Sequence, residues 1–213
     1  RPLPPQEALG NFADYYSFRN LGCESDPRLE EIDRFAAPWK GKRVLDLGCN
    51  SGEVALHAAE SGCRYVLGVD IDRQLVERAR TEAALRLGSS ASAATGTARG
   101  RRGRTKFVCR DLLELRLGPH RAFDVVLFLS TSKWVHLQRG DEGLCHLFRR
   151  CWCWLRPGGL FVLEPQPWKA YKGAAEAHPE VEATWRKIAL RPSGFADFLC
   201  REVGFEEEHV WTA

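Results

Sequence analysis

The run Arg43-Val-Leu-Asp-Leu-Gly-Cys-Asn-Ser-Gly52, with an acidic residue closing a second apolar run at Val69-Asp70, constrains this chain more than any other feature. Val44, Leu45 and Leu47 read as a short buried strand. Gly48 and Gly52 let the backbone turn tightly into a helix whose free N–H groups favour a polar or anionic ligand. A carboxylate roughly 20 residues beyond such a loop is placed to accept hydrogen bonds from a ribose, so the pair reads as a nucleotide-cofactor site.

After Lys42 short apolar runs alternate with helical stretches, the pattern of a mostly parallel sheet with helices on both faces, an α/β fold. Strands are expected at Arg43 to Leu47, Tyr65 to Val69, Lys106 to Cys109, Phe123 to Leu129, Leu160 to Leu163 and Phe205 to Trp211. The turn Arg156-Pro-Gly-Gly159 introduces the fifth. Helices are expected between the first two strands, from Asp72 to about Leu87, from Asp141 to Leu155, from Pro179 to Ala189 and from Ser193 to Val203, with Pro165-Gln-Pro-Trp168 breaking regular structure. Residues 88–104 carry almost no bulky apolar group and cannot offset their ordering entropy by burial, so they read as a flexible basic insertion within one domain spanning 1–213. A fold of this type adds a last antiparallel strand, before which the chain stops. The first residue is Arg and methionine is absent, so a processed, truncated or partial sequence is expected.

A net charge of +3 excludes a polycation, yet Arg99, Arg101, Arg102, Arg104 and Lys106 cluster; a solvated loop and an electrostatic contact to RNA both account for them. The eight cysteines include no C-x-x-C pair, which favours buried thiols in a reducing compartment over a zinc site or a disulfide framework. No segment approaches the roughly 18 uninterrupted apolar residues of a membrane span.

In open α/β sheets the ligand sits outside the carboxyl ends of the strands, near the reversal of strand order. The candidates on that edge are Gly48 to Asn50, Asp70 and Ile71, Arg110 and Asp111, and Leu129 to Lys133. Asn50 stands where a pyrophosphate-binding loop wants its second glycine; S-adenosylmethionine has no phosphate, so the pattern suits a methyltransferase and not a dehydrogenase. In that reading Asp46 braces the glycine turn or meets the methionine amino group, Asp70 holds the ribose, Ile71 covers adenine, and Asp111 or its neighbour meets the adenine amine. For the acceptor, Ser130-Thr-Ser-Lys-Trp-Val-His136 replaces the N-P-P-Y of amine methyltransferases. Lys133 suits an anion, against the plainer reading of a surface lysine. His136 is either a general base or a structural histidine bonded to backbone, and Trp168, in a proline-bounded loop, is a candidate base-stacking platform.

Gly10-Asn-Phe12, Tyr15-Tyr16-Ser-Phe-Arg-Asn20, Asp26-Pro-Arg-Leu29, Asp46 to Gly52, Gly68-Val-Asp-Ile-Asp72, Leu129 to Leu137, Gly140 to Leu144, Leu155 to Gly159 and Leu163-Glu-Pro-Gln-Pro-Trp168 together resemble the bicoid-interacting-protein-three type RNA methyltransferases over nearly the whole chain. The resemblance implies a Rossmann-like class I fold, S-adenosylmethionine as cofactor, no metal, and a segment 1–40 covering cofactor and substrate. It implies cofactor contacts from Tyr16, Arg28, Gly48, Cys49, Asn50, Asp70, Ile71, Arg110, Asp111 and Leu129, and places Tyr15, Arg19 and Lys133, with His136 and Trp168 as neighbours, at the RNA 5′ phosphates; Lys133 and Tyr15 are the expected catalytic pair. The Tyr-Tyr segment resembles the branch that methylates the γ-phosphate of a small nuclear RNA of the 7SK type. A branch acting on 5′-monophosphate transfer RNA or pre-miRNA, and an RNA-retaining scaffold of low turnover, stand as alternatives. Nuclear residence, ribonucleoprotein proteins as further partners and a monomeric state follow from the same likeness. Phe18 and Arg110-Asp111 depart from the family pattern, which expects tyrosine and Asn-Tyr there.

Overall fold

The computed structural model describes residues 26, 28–88, 103–118 and 121–206. Helix α1 (Arg28–Ala36) leads into β1 (Arg43–Leu47), α2 (Glu53–Glu60), β2 (Tyr65–Asp70), α3 (Arg73–Gly88), β3 (Arg104–Cys109), β4 (Phe123–Leu129), α4 (Ser132–Trp154) and β5 (Leu155–Glu164). Two further helices, α5 (Trp168–Ala177) and α6 (Pro179–Trp185), precede a composite last helix: a 3₁₀ turn at Pro192–Gly194, α7 (Phe195–Phe198) and a π turn at Leu199–Val203. The five strands form one sheet in the order β3-β2-β1-β4-β5, and every described pairing is parallel. Order reverses between β1 and β4, which is where a ligand crevice opens in sheets of this kind.

Alternation along β1 explains the layering. Val44 packs with Ile32 of α1, Leu56 of α2 and Val76 of α3, whereas Leu45 and Leu47 pack with Leu144, Leu147 and Phe148 of α4 and Phe195 of α7. Successive strand residues point to opposite faces, so a strand apolar at nearly every position must be covered on both. A third cluster, separate from these, gathers Trp134, Leu137, Tyr171, Val181 and Ile188 at the corner where α4, α5 and α6 meet. Among the described residues no helix is long and apolar enough to cross a membrane.

Several expectations shift. Helix α4 begins at Ser132 rather than Asp141, so Lys133 and His136 are helical; Gly140, at φ 65° and ψ −172°, kinks the helix there and makes the sequence look like a boundary. Strand β5 starts at Leu155, because Leu155 pairs with Phe123 and Leu160 with Val125. The Arg156-Pro-Gly-Gly159 run is thus a bulge within the strand and not a turn before it. The Pro-bounded break hides α5, which starts directly after Pro167, a residue preorganised for a helix start. Helix α6 stops at Trp185, and Asp141 accepts the amides of Ala189 and Leu190 instead. Gly88 and Arg104, the limits set for the insertion, belong to α3 and β3. The expected sixth strand lies outside the described residues except for Phe205 and Glu206, which are irregular, and so do Arg99 to Arg102 of the basic cluster.

Candidate active site

The site grows from the end of β1. Gly48 and Cys49 both donate their amides to the Val69 carbonyl (2.8 and 3.0 Å), tying the glycine loop to the end of β2. Gly48 sits at φ 76°, and a side chain there would meet Thr131, with its Cγ2 only 2.6 Å from an added Cβ. The loops after β1 and β4 therefore touch at the reversal point because residue 48 has no side chain. Asn50 also takes a positive φ, and its amide donates to Asp70 Oδ2 at 2.8 Å while the Asp72 amide donates to Oδ1 at 2.9 Å. Asp70 is thus both the terminus of β2 and the brace of the glycine loop. Burial raises its pKa, and the amides of Asp72 and Asn50 oppose that shift.

Asp46 is 3% exposed and forms no hydrogen bond or ion pair among the described residues. Burial raises its pKa to about 7, with Arg28 pulling it down and Asp70 and Asp26 pushing it up. A desolvated carboxyl without a partner is costly unless a cation completes it. The amino group of S-adenosylmethionine is such a cation, so the residues present fit that cofactor.

Arg28 anchors the other wall. It is buried, pairs with Asp26 (2.5 Å) and Glu164 (2.8 Å), and so connects the start of α1 to the end of β5. Glu164 Oε2 also accepts from Ser130 Oγ at 2.5 Å, and its carbonyl accepts the Ser130 amide at 3.0 Å. Gln166 completes the bracket: its amide nitrogen donates to the Ser130 carbonyl, and its Oε1 accepts the Lys133 amide at 3.4 Å. The sequence placed Ser130 and Thr131 on the ligand edge without an individual role, and gave none to Asp26, Glu164 or Gln166. The available signal was a glutamate before, and a glutamine between, the two prolines at 165 and 167, polar groups that a rigid loop presents inward.

The remaining candidates separate. Lys133 is half-buried; desolvation lowers its pKa, and Nζ lies 4.3 Å from the centre of the Trp134 ring, with no carboxylate partner among the described residues. Leu129 is buried at the end of β4. Ile71 is half-buried and its carbonyl takes a contact from Cys109 Sγ at 3.3 Å. Cys49 is sealed, and burial keeps its thiol protonated. Arg110 bonds Asp70 through its main-chain amide, leaving its side chain exposed. Asp111 accepts the Leu113 amide at 2.9 Å and pairs with Arg139 at 2.7 Å, so its carboxylate holds a turn and an ion pair to α4.

His136 is not brought to the rim. It is fully buried, with Nε2 2.7 Å from Asp141 and Nδ1 3.3 Å from the Tyr171 hydroxyl, so both nitrogens are engaged by side chains, not by backbone. Burial lowers its pKa against the pull of Asp141, which favours the neutral ring. Contact of this imidazole with a phosphate, expected from the sequence, is incompatible with that burial. Trp168 is half-buried and stacks on Tyr171 and Trp185, with ring centres 5.1 and 6.0 Å apart. Tyr15, Tyr16 and Arg19 lie outside the described residues.

Residues 44–159 match the model of a methyltransferase domain, and residues 123–213 match that of Bicoid-interacting protein 3 (Bin3). A probable RNA methyltransferase of Arabidopsis thaliana is 35% identical, over 92% of this chain and 72% of its own length. The chain belongs to the Bin3 family. Two other relatives are the 7SK snRNA methylphosphate capping enzyme of Homo sapiens, 34% identical over 92% of this chain, and the U6 snRNA methylphosphate capping enzyme of Drosophila melanogaster, 34% identical over 93%. The chain spans 35% of the length of the human enzyme and 66% of the fly enzyme. Among solved structures, the PH0226 protein from Pyrococcus horikoshii is similar at a TM-score of 0.50 and 23% identity, covering 75% of this chain and 61% of that one, a likeness of fold alone. The Rossmann-like class I fold expected from the sequence is therefore present, and a Bin3-family methyltransferase domain takes S-adenosylmethionine as its cofactor.

Proposed function

We propose that this Bin3-family chain transfers a methyl group to a 5′-terminal phosphate of RNA, with the γ-phosphate of a small nuclear RNA as its acceptor. The observation that carries the reading is Lys133: a desolvated cation without a carboxylate partner among the described residues, bracketed by Gln166 one loop away from Gly48. Two of the relatives are named as snRNA methylphosphate capping enzymes, which supports the choice of acceptor. Others, in Xenopus laevis and Bos taurus, are named as enzymes of 5′-monophosphate RNA, and that end is the alternative. Nuclear residence, ribonucleoprotein partners and a monomeric state belong to the same proposal.

The chemistry asks little of an acid or base. A terminal phosphate oxygen is anionic at neutral pH, so the neutral, buried His136 is not required as a base. When bound, S-adenosylmethionine supplies an electrophilic methyl group. Asp46 would hold the amino group, Asp70 the ribose, and Lys133 the phosphate oxygens that do not react, leaving one lone pair aimed at the methyl. Alignment and exclusion of water lower the barrier.

Asp46 gives a pH signature. Its folded pKa, about 7, lies above the unfolded value, so its contribution to stability is complete in acid and is lost as pH rises through 7. A bound ammonium reverses the preference and favours the carboxylate. Cofactor affinity should therefore rise by about tenfold or more as pH increases from about 6 to about 8, with proton release on binding, read by calorimetry in buffers of different ionisation enthalpy. A flat profile in Asp46 and in Asp46→Asn alike would remove the carboxylate from the amino-group role.

Acceptor choice is tested with labelled cofactor and one short RNA carrying a triphosphate, a monophosphate or a hydroxyl at its 5′ end. The expected order is triphosphate, then monophosphate, with no label on the hydroxyl end. Preference for the monophosphate selects the alternative, and a single turnover per enzyme with slow RNA release selects a scaffold role. Label on the hydroxyl RNA sinks phosphate methylation altogether.

A further inference from the structure

Two cations lie on tryptophans of one cluster. Lys133 Nζ sits over Trp134, and Arg191 Cζ lies 3.9 Å from the centre of the Trp168 ring. Trp134 is buried in the aromatic corner of α4, α5 and α6, and Trp168 packs against it from the rim, backed by Tyr171 and Trp185. Arg191 is exposed; its carbonyl accepts the Gly194 amide at 2.8 Å, and its guanidinium forms no hydrogen bond or ion pair with another described residue. Arg86, Arg139 and Arg156 each have carboxylate partners. Asp141, the carboxylate bonded to the segment just before Arg191, is committed to His136 and to the amides of Ala189 and Leu190.

An indole face holds a guanidinium in place without consuming its N–H groups, which remain free to donate to an anion as a planar fork. The link to Lys133 is short. Gln166 accepts the Lys133 amide, and Trp168 follows two residues later, no more than about 7 Å of extended backbone away.

We propose that Arg191, seated on Trp168, is a second phosphate contact that takes a backbone phosphodiester of the RNA downstream of the methylated end. This rests on Lys133 as the contact for the terminal phosphate. Arg191 then distinguishes a polymer from a mononucleotide: GTP offers the same triphosphate end and no downstream phosphodiester. Trp168 acts as the seat of the guanidinium rather than as an open platform for a base.

The test compares wild type, Arg191→Ala and Arg191→Lys. It measures methylation kinetics on a 5′-triphosphorylated RNA hairpin, fluorescence anisotropy of that hairpin over a salt series, and competition by GTP. Arg191→Ala is expected to raise KM and Kd for the hairpin roughly tenfold and to lower the salt slope by about one contact, 0.7 to 0.9 in log-log units, while competition by GTP stays within about twofold. Arg191→Lys restores part of the hairpin affinity because it keeps the charge. Equal weakening of hairpin and GTP overturns the proposal, placing Arg191 at the terminal phosphate. Unchanged hairpin binding overturns it as well, leaving an ordinary surface arginine. A drop in melting temperature accompanied by no change in salt slope assigns the cation–π pair to packing and refutes the contact. A wild-type protein that binds the hairpin without methylating it would refute the acceptor reading instead, and Arg191 would still be judged by anisotropy.

Discussion

Lys133→Ala is expected to reduce kcat/KM on 5′-triphosphorylated RNA by about 100- to 1000-fold, which corresponds to roughly 3 to 4 kcal/mol of transition-state stabilisation. Cofactor affinity, measured by calorimetry, should stay within several-fold. The asymmetry follows from where the lysine stands. Its main chain is bracketed by Gln166 and its ammonium rests on Trp134, whereas Asp46 and Asp70, the groups proposed to hold the cofactor, belong to the neighbouring strands β1 and β2. Desolvation lowers the Lys133 pKa, so a bound phosphate regains an interaction that the free protein lacks. Lys133→Arg should recover only part of the rate: it keeps the charge but replaces a compact ammonium with a broad fork in a half-buried niche. If the alanine variant lost cofactor binding and turnover in equal measure, the lysine would be structural and its assignment would fall.

Gly48→Ala is expected to be the most damaging change at the cofactor side. Residue 48 sits at φ 76°, where a side chain costs about 1–2 kcal/mol from backbone geometry alone. The added Cβ would also lie 2.6 Å from Thr131 Cγ2 and 2.8 Å from Thr131 Cβ, far inside contact distance. Either the β4–α4 loop moves away or the glycine loop does, and both routes separate cofactor from acceptor. A destabilisation of about 3–5 kcal/mol should lower Tm by about 10 °C, with a cofactor affinity at least about 100-fold weaker. Thr131→Gly in the same chain should restore the steric part but not the backbone part, so the double variant recovers partially. A Gly48→Ala protein that melts within about 2 °C of wild type and binds cofactor normally would show that the two loops are not in obligatory contact.

What was legible in the sequence follows the strength of local patterning. Strands β1 and β4 were read to the residue because their apolar runs end abruptly, at Gly48 and at the Ser130-Thr131 step. Asp70 was found through its spacing from the glycine loop, although its hold on the Asn50 amide needs the three-dimensional turn to be seen. The first two turns of α4 escaped because Gly140 mimics a helix boundary, and α5 escaped because its prolines signal a break as readily as a start. His136 was placed among the phosphate contacts by its neighbourhood in the motif. One helical turn beyond Lys133, it is buried against Asp141 and Tyr171, partners that the motif does not reveal. Glu164 and Gln166 were visible as letters of a motif, but their function depends on partners more than 30 positions away in the chain, which no local pattern reports.

The carboxylate of Glu164 has a wider implication. Because one side chain accepts from both Arg28 and Ser130, the start of α1 and the β4–α4 loop that leads into Lys133 share a hinge pin. Substitutions that retune one are transmitted to the other, so this part of the scaffold tolerates little drift. The aromatic corner around α5 and α6 stands apart, with a core of its own. On the proposed contact at Arg191, substitutions in that corner would alter RNA preference while the residues around Gly48 and Asp70 stay as they are.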